Sequence, residues 1–386
     1  MKRTLKTEKK QIRNKSTSNA QDAPRAGLDR EKDGNSGKLE TDNKKGRSAK
    51  PGKLNRTGHP LKAVTLYHGR KGKAMRKEEL LTMTDEQRNE IISRAIDARK
   101  ARNSRPEEIR IANRAAEKVA AGERITVTEF EALTGIMFSH NMTGKMENIL
   151  SLSTNCFCNP VCIARMKAGV GICAECFAAG IETQYSGVFE NTAFNAEVLA
   201  NMVLPLAVIP VIDADELRIE SFGDTANWKQ AANYMNMARQ NPLVPVTAWT
   251  KNPNHYAEAI KRGYSKPENF TLIYSSPELN TPADIKPEFE SIIDKRFTVY
   301  TLSWLDENGL DASFINCGGR SCKACQRCYN NARRTGFDVR ELLKKDADKA
   351  RKTRGGQWET WTAETLESMP ENVRQAALDI LALFGK

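Results

Sequence analysis

The sequence predicts an α/β fold: a partial (β/α) barrel with a mainly parallel sheet, N- and C-terminal helical extensions, and a disordered basic N-terminal tail. Three observations predict it. Four short segments rich in β-branched and aromatic residues start at positions 217, 244, 270 and 297, so they are 27, 26 and 27 residues apart. Helix-period patterns lie between them, which is the spacing of repeated βαβ units. Finally, residues 1–60 hold 17 Lys and Arg against 7 Asp and Glu and no aromatic residue. A segment of that composition buries too little apolar surface to offset its ordering entropy. A doubly wound open sheet shares the strand–helix alternation and is the alternative fold.

Taken in order, the tail covers residues 1–75. Lys62, Arg70, Lys71 and Lys73 add to its charge, so with a total of +12 the remaining residues sum to −2. Such a tail suits a nucleic-acid partner through phosphate neutralisation. A solubilising tail is the competing reading, favoured by the lack of aromatics for base stacking. Residues 76–135 form a helical extension. "MTDEQRNEIISRAIDARKA" begins with a Thr84 cap and sets Ile91, Ile92, Ala95 and Ile96 on one face. "RPEEIRIANRAAEKVAAG" follows, stopped by Gly122, and "TVTEFEALTG" makes a third helix capped by Thr128.

Residues 140–330 form the cysteine-rich (β/α) domain. Its strands are "ILSLS" (149–153), "LRIESF" (217–222), "VPVTAW" (244–249), "FTLIYS" (270–275) and "FTVYTL" (297–302), with a sixth expected near "SFINC". The helices between them are "FENTAFNAEVLANMVL", "NWKQAANYMNMARQ", "NHYAEAIKRG" and "DIKPEFESIIDK". Residues 331–386 read as C-terminal helices, from "TGFDVRELLKKDADKARK" and "PENVRQAALDILALF". No run of eighteen apolar residues occurs, so no membrane partner is expected. The N-terminus has no apolar h-region, which makes the cytoplasm the expected location.

Nine cysteines is an odd count, and in a reducing compartment clustered cysteines are ligands or redox groups more often than disulfides. All nine fall in two short stretches. In the first, Cys158, Cys162, Cys173 and Cys176 are separated by three, ten and two residues, with Cys156 as the surplus thiol. In the second, Cys317, Cys322, Cys325 and Cys328 are separated by four, two and two. Successive CxxC steps suit a [4Fe–4S] cluster or, as the alternative, a four-thiolate Zn site. Neither group contains any of the four histidines, His59, His68, His140 and His255.

In (β/α) barrels, chemistry sits at the C-terminal ends of the strands. The first cysteine group follows the first strand and the second follows the fifth, which predicts that both lie at one mouth. Gly223 and Asp224 follow the second strand. Asp224 is a candidate cofactor or substrate carboxylate, or else the cap of a helix starting near Ala226. Lys251 follows the third strand, as an anion ligand or a solvated loop lysine. Trp249 and Trp304 could stack on a base, although core packing is the commoner role. Arg165, Lys167, Arg320, Lys323 and Arg327 make both cysteine loops basic, which would offset a thiolate centre's charge.

Over residues 140–330 the sequence resembles the phage gene product 88 domain proteins. The resemblance is carried by "TGKMENILSLST", "CAECFA", "RIESFGDTANW", "VTAWTKNP" and the terminal "CxxxxCxxCxxCY". It implies phage or prophage origin, hence the cytoplasm of a bacterial host. More distantly, the sequence is similar to radical S-adenosylmethionine (SAM) enzymes. That similarity implies a [4Fe–4S] cluster on a cysteine loop after the first strand, with SAM on its open iron. It puts "SFGD" (221–224), with Gly223 and Asp224, at the SAM-contacting motif. In those enzymes the loop reads C-x3-C-x2-C, whereas here ten residues separate Cys158-x3-Cys162 from Cys173-x2-Cys176.

Overall fold

The computed structural model describes residues 75–140, 146–318, 321–329 and 336–346. The basic tail through residue 74, Arg320 and "PENVRQAALDILALF" lie outside the described residues. Four helices come first: α1 (Lys77–Thr82), α2 (Asp85–Asn103), α3 (Pro106–Ala120) and α4 (Val127–Thr134). Thr84 caps α2, its hydroxyl accepting from the Gln87 N–H while the Gln87 side chain accepts from the Thr84 N–H. Gly122 follows α3 in the left-handed region. The cap of α4 is Thr126 rather than Thr128. Thr126 and Glu129 form a reciprocal capping box, in which the Glu129 carboxylate accepts from the Thr126 N–H at 2.8 Å.

Seven strands follow: β1 (Ser139–His140), β2 (Ile149–Leu152), β3 (Glu216–Ile219), β4 (Val246–Thr250), β5 (Phe270–Leu279), β6 (Lys295–Tyr300) and β7 (Asp338–Leu342). They form one sheet in chain order, with β1 antiparallel to β2 and every other pair parallel. A doubly wound sheet reverses its strand order at a switch point. This one does not, so that alternative is set aside.

The β2–β3 connection carries α5 (Pro160–Ala168), α6 (Gly171–Ala174), α7 (Phe177–Gln184) and α8 (Ser186–Asn201). Next, α9 (Trp228–Gln240) joins β3 to β4, and α10 (Asn254–Lys261) joins β4 to β5. The helix expected over "DIKPEFESIIDK" is absent. A single 3-10 turn, Pro287–Phe289, stands there. β5 runs on to Leu279, and the residues before Lys295 cross back without a regular helix. Phe289, Ile292 and Ile293 still reach the core.

Two further expectations fail in the last connection, which carries α11 (Leu302–Glu307) and α12 (Cys322–Cys325). "SFINC" is not a strand; Cys317 makes one isolated bridge to Glu341. Residues 338–342, expected to be helical, form β7. The Val339, Leu342 and Leu343 pattern fits a helix too, but pairing along β6 decides it.

Leu217 and Ile219 of β3, Val246 and Ala248 of β4, and Phe270 and Leu272 of β5 pack with α9 and α10 in the main core. Residues alternate across a strand, so Arg218, Thr247 and Trp249 face the other side. A second core joins Leu80 of α1, Ala95 and Ile96 of α2, and Phe157 and Met166 of the cysteine loop to Ala179, Phe189 and Phe194. The N-terminal helices therefore pack against the cysteine loop, and Lys77 Nζ donates to the Ala174 carbonyl at 2.6 Å. Among the described residues, no helix is long and apolar enough to cross a membrane.

Candidate functional site

The first cysteine group hangs from the C-terminal end of β2. Asn155 sets its start: its backbone N–H donates to the Thr192 carbonyl, and its side-chain oxygen accepts from the Phe157 N–H at 2.9 Å. A 3-10 turn then carries Cys156–Cys158 and α5 carries Cys162. Gly171 lets the loop return. Its φ is +64°, and a Cβ there would lie 2.2 Å from the Pro277 carbonyl oxygen of β5. Cys173 and Cys176 follow on α6 and at the N-cap of α7.

The structure regroups these thiols. Cys156 hydrogen-bonds Cys176 and feels Cys162, while Cys162 feels Cys173 and Cys176. The neighbours are therefore Cys156, Cys162, Cys173 and Cys176. Cys158, expected among the ligands, instead lines a cavity of about 570 Å³ between α2, α5 and α8, and the charges acting on it are those of Glu182 and Glu197. Cys156, set apart as the surplus thiol in the sequence, is thus among these neighbours, and Cys156 and Cys158 both pack into the second core.

Cys176 is the acidic member. The Cys156 hydrogen bond, the Ala178 and Ala179 N–H groups at the start of α7 and the Lys251 ammonium bring its thiol down to about 6, against the opposing effect of burial. Cys156 is pushed well up, chiefly by burial and then by that same hydrogen bond. Its backbone N–H and thiol also reach Glu182 Oε2, the thiol at 2.8 Å, and burial raises Glu182 to about 8. Burial raises Cys162 and Cys173 as well, partly offset by Lys251 and, for Cys173, by Arg165.

Asp224 sits beside Cys162, but its carboxylate is occupied. It accepts from Thr250 Oγ1 at 2.7 Å and from the Lys251 N–H at 2.9 Å, and Arg165 Nη1 lies 3.9 Å away. Its carbonyl accepts from Asn159 Nδ2. Asp224 thus ties the ends of β3 and β4 to the cysteine loop. It does not cap α9, whose cap is Asn227. Gly223 has φ +75°, and a Cβ there would meet the Thr154 carbonyl oxygen at 2.3 Å.

Sequence reasoning missed the group behind this loop. Glu220, at φ +57°, accepts from Thr154, from Gln230 Nε2 and from the Tyr234 hydroxyl at 2.5 Å. Burial raises its carboxyl to about 8. Its signal was present in "RIESFGD", as an acidic residue at the end of a strand.

The second cysteine group does not share this mouth. Lys323 pairs with Asp215, Gln326 hydrogen-bonds Glu216, and the Cys328 carbonyl accepts from Thr247 Oγ1 at 3.0 Å. These partners stand at the starts of β3 and β4. A parallel strand obliges the chain to return to the N-terminal edge before pairing. Because β7 exists, the chain after β6 must make that return; Lys323, Gln326 and Cys328 stand at the opposite end of the sheet, while Cys317 bridges Glu341 late in β7. Trp249 packs there, under Arg218 and against Tyr329, while Trp304 clusters with Tyr300 and Phe314.

None of the nine cysteines forms a disulfide. Among the described residues, no three His, Cys, Asp or Glu side chains already stand as a formed metal-binding group. The mouth holds thiols that are neighbours, one of them acidic, with cations beside them. No family model, no curated protein and no solved structure matches this chain.

Proposed function

We propose that the sheet is a partial (β/α) barrel and that its mouth holds an iron–sulfur centre of the radical-SAM-like kind, ligated by three of the thiols Cys156, Cys162, Cys173 and Cys176, so that one iron would stay open. The observation that carries the reading is the meeting of these four thiols, from a turn and three helical segments, at the C-terminal ends of β2, β3 and β4. The donor set fits the group in kind: sulfur only, with Lys251 and Arg165 placed to offset thiolate charge. A bound cluster would supply one-electron chemistry.

The chain's own residues have separate tasks. The α7 N–H groups would hold the Cys176 thiolate. Asp224 fixes the Lys251 backbone and, through Arg165, the α5 side of the loop. With its carboxylate so engaged, Asp224 positions the loop rather than offering a free ligand. Phe177 and Phe222, in edge contact, form an apolar rim next to Cys176.

Anaerobic purification tests the reading. The expected product is brown, with about four irons and four sulfides per chain at the mouth, as one [4Fe–4S] cluster requires. SAM is expected to perturb its spectrum. A colourless protein without iron after anaerobic reconstitution would overturn the proposal, and a brown one indifferent to SAM would remove the SAM part alone.

A further inference from the structure

The segment that carries Cys317, Cys322, Cys325 and Cys328 is poor in regular structure. Among its described residues the only helix is the single turn of α12. Yet it spans the sheet, from the Arg340 carbonyl of β7, which accepts from the Cys317 N–H, to Thr247 of β4. Cys317, Cys322 and Cys325 all lie within electrostatic reach of Cys328.

A second observation points to a ligand. Tyr329 is 4% exposed, with its ring against Trp249, and its hydroxyl has no hydrogen-bond partner among the described residues. Its charged neighbours are Arg218, Cys322, Cys328 and Glu216. Arg218, stacked on Trp249 at 4.4 Å and also acting on Cys328, has an orphaned, buried Nε. Buried donors without acceptors are costly and uncommon. Neutral thiols are weak acceptors, whereas metal-bound thiolates are strong ones. A divalent ion with four thiolates carries two net negative charges, which suit an adjacent guanidinium and two N–H or O–H donors.

We propose that Cys317, Cys322, Cys325 and Cys328 hold a structural zinc ion, with Tyr329 and Arg218 as outer donors to its sulfurs, and that this ion fastens the β6–β7 connection across the N-terminal ends of β3 and β4. As the ion binds, each ligating thiol gives its proton to solvent, and no electron moves. Sulfur placement and ion binding are then one event, as in other small structural sites. The site is independent of the mouth.

Zinc and iron analysis of the full-length protein tests the assignment, with wild type compared against Cys322→Ser/Cys325→Ser, Cys173→Ser and Tyr329→Phe. One zinc per chain is expected in wild type and Cys173→Ser, and none in the double variant. Tyr329→Phe should keep the ion but release it to a chromogenic chelator about 10- to 100-fold more readily, the usual effect of losing an outer-shell donor. If the double variant does not fold, cobalt(II) loading of Cys156→Ser/Cys162→Ser/Cys173→Ser/Cys176→Ser, which empties the mouth of its thiol group, decides. Thiolate-to-cobalt charge transfer supports the site, and its absence overturns it. Unchanged zinc in the double variant, or loss of iron in place of zinc, overturns the assignment. Wild-type chelator behaviour in Tyr329→Phe overturns the outer-donor role. Because iron at the mouth is read from a different variant, failure here and failure of the mouth centre are distinguishable.

Discussion

At the scale of single residues, Cys156 and Cys158 make the sharpest test. They differ by two positions, yet Cys156 bonds Cys176 while Cys158 faces Glu197 and a cavity. Cys156→Ser is therefore expected to lower reconstituted iron severalfold, and Cys158→Ser to leave it unchanged. The reverse pattern, measured as iron per chain, would return Cys158 to the ligand set. Glu220 supplies a different prediction. Its folded carboxyl titrates at about 8, against 4.5 for the free group, because burial disfavours its charge. Between those values the folded state binds a proton that the unfolded state does not, so stability falls as pH rises through this window. The loss is on the order of a few kcal/mol. Urea midpoints at pH 6 and pH 9 should fall further apart in wild type than in Glu220→Gln, which cannot ionise. Equal slopes in the two proteins would show that Glu220 is not the titrating group.

At the scale of elements, the cysteine loop depends on where it touches the sheet. Gly171 opens α6 at a left-handed φ, against the Pro277 carbonyl of β5, and the next turns carry Cys173 and Cys176. Gly171→Ala is expected to cost about 1–3 kcal/mol through backbone strain and to weaken iron retention together with it. Gly187 of α8 has no atom within 4 Å of a Cβ position, so Gly187→Ala should be neutral or slightly stabilising. Thermal melts of both variants beside iron content check this; a Gly171→Ala protein as stable as wild type would contradict the close packing. Five strands were legible because each is apolar and bounded by turn residues. β1 was not legible, because two residues carry no periodicity, and neither was β7, because "DVREL" suits a helix as well as a strand. That one missing strand misplaced the second cysteine group. Without β7, residues 301–337 read as a loop left at the mouth; with it, they must travel to the other end. The rewiring of Cys156 and Cys158 was illegible for a local reason. In a 3-10 turn, the orientation of each side chain depends on what Asn155 and Asn159 bond, and their partners Thr192 and Asp224 are distant in sequence.

At the scale of the whole chain, charge is divided by position. Residues 1–75 account for more than the entire +12, and the rest is slightly acidic. The described cores take their residues from Met75 onward. A chain that releases phosphate counterions binds nucleic acid with a log–log salt slope of about −0.9 per phosphate neutralised. If the tail is a nucleic-acid contact, full-length protein should bind mixed-sequence DNA at low salt with a steep slope, and residues 76–386 should bind it weakly at every salt concentration. Iron and zinc contents should be equal in the two proteins, because neither thiol group lies in the tail. If instead the shortened chain keeps both affinity and slope, the contact belongs to the body, where Lys323 and Arg327 of the second cysteine segment are the basic residues to change next. Weak binding by both proteins would assign the tail's charge to solubility, and the metal centres would then stand as the chain's chemistry without a polyanion partner.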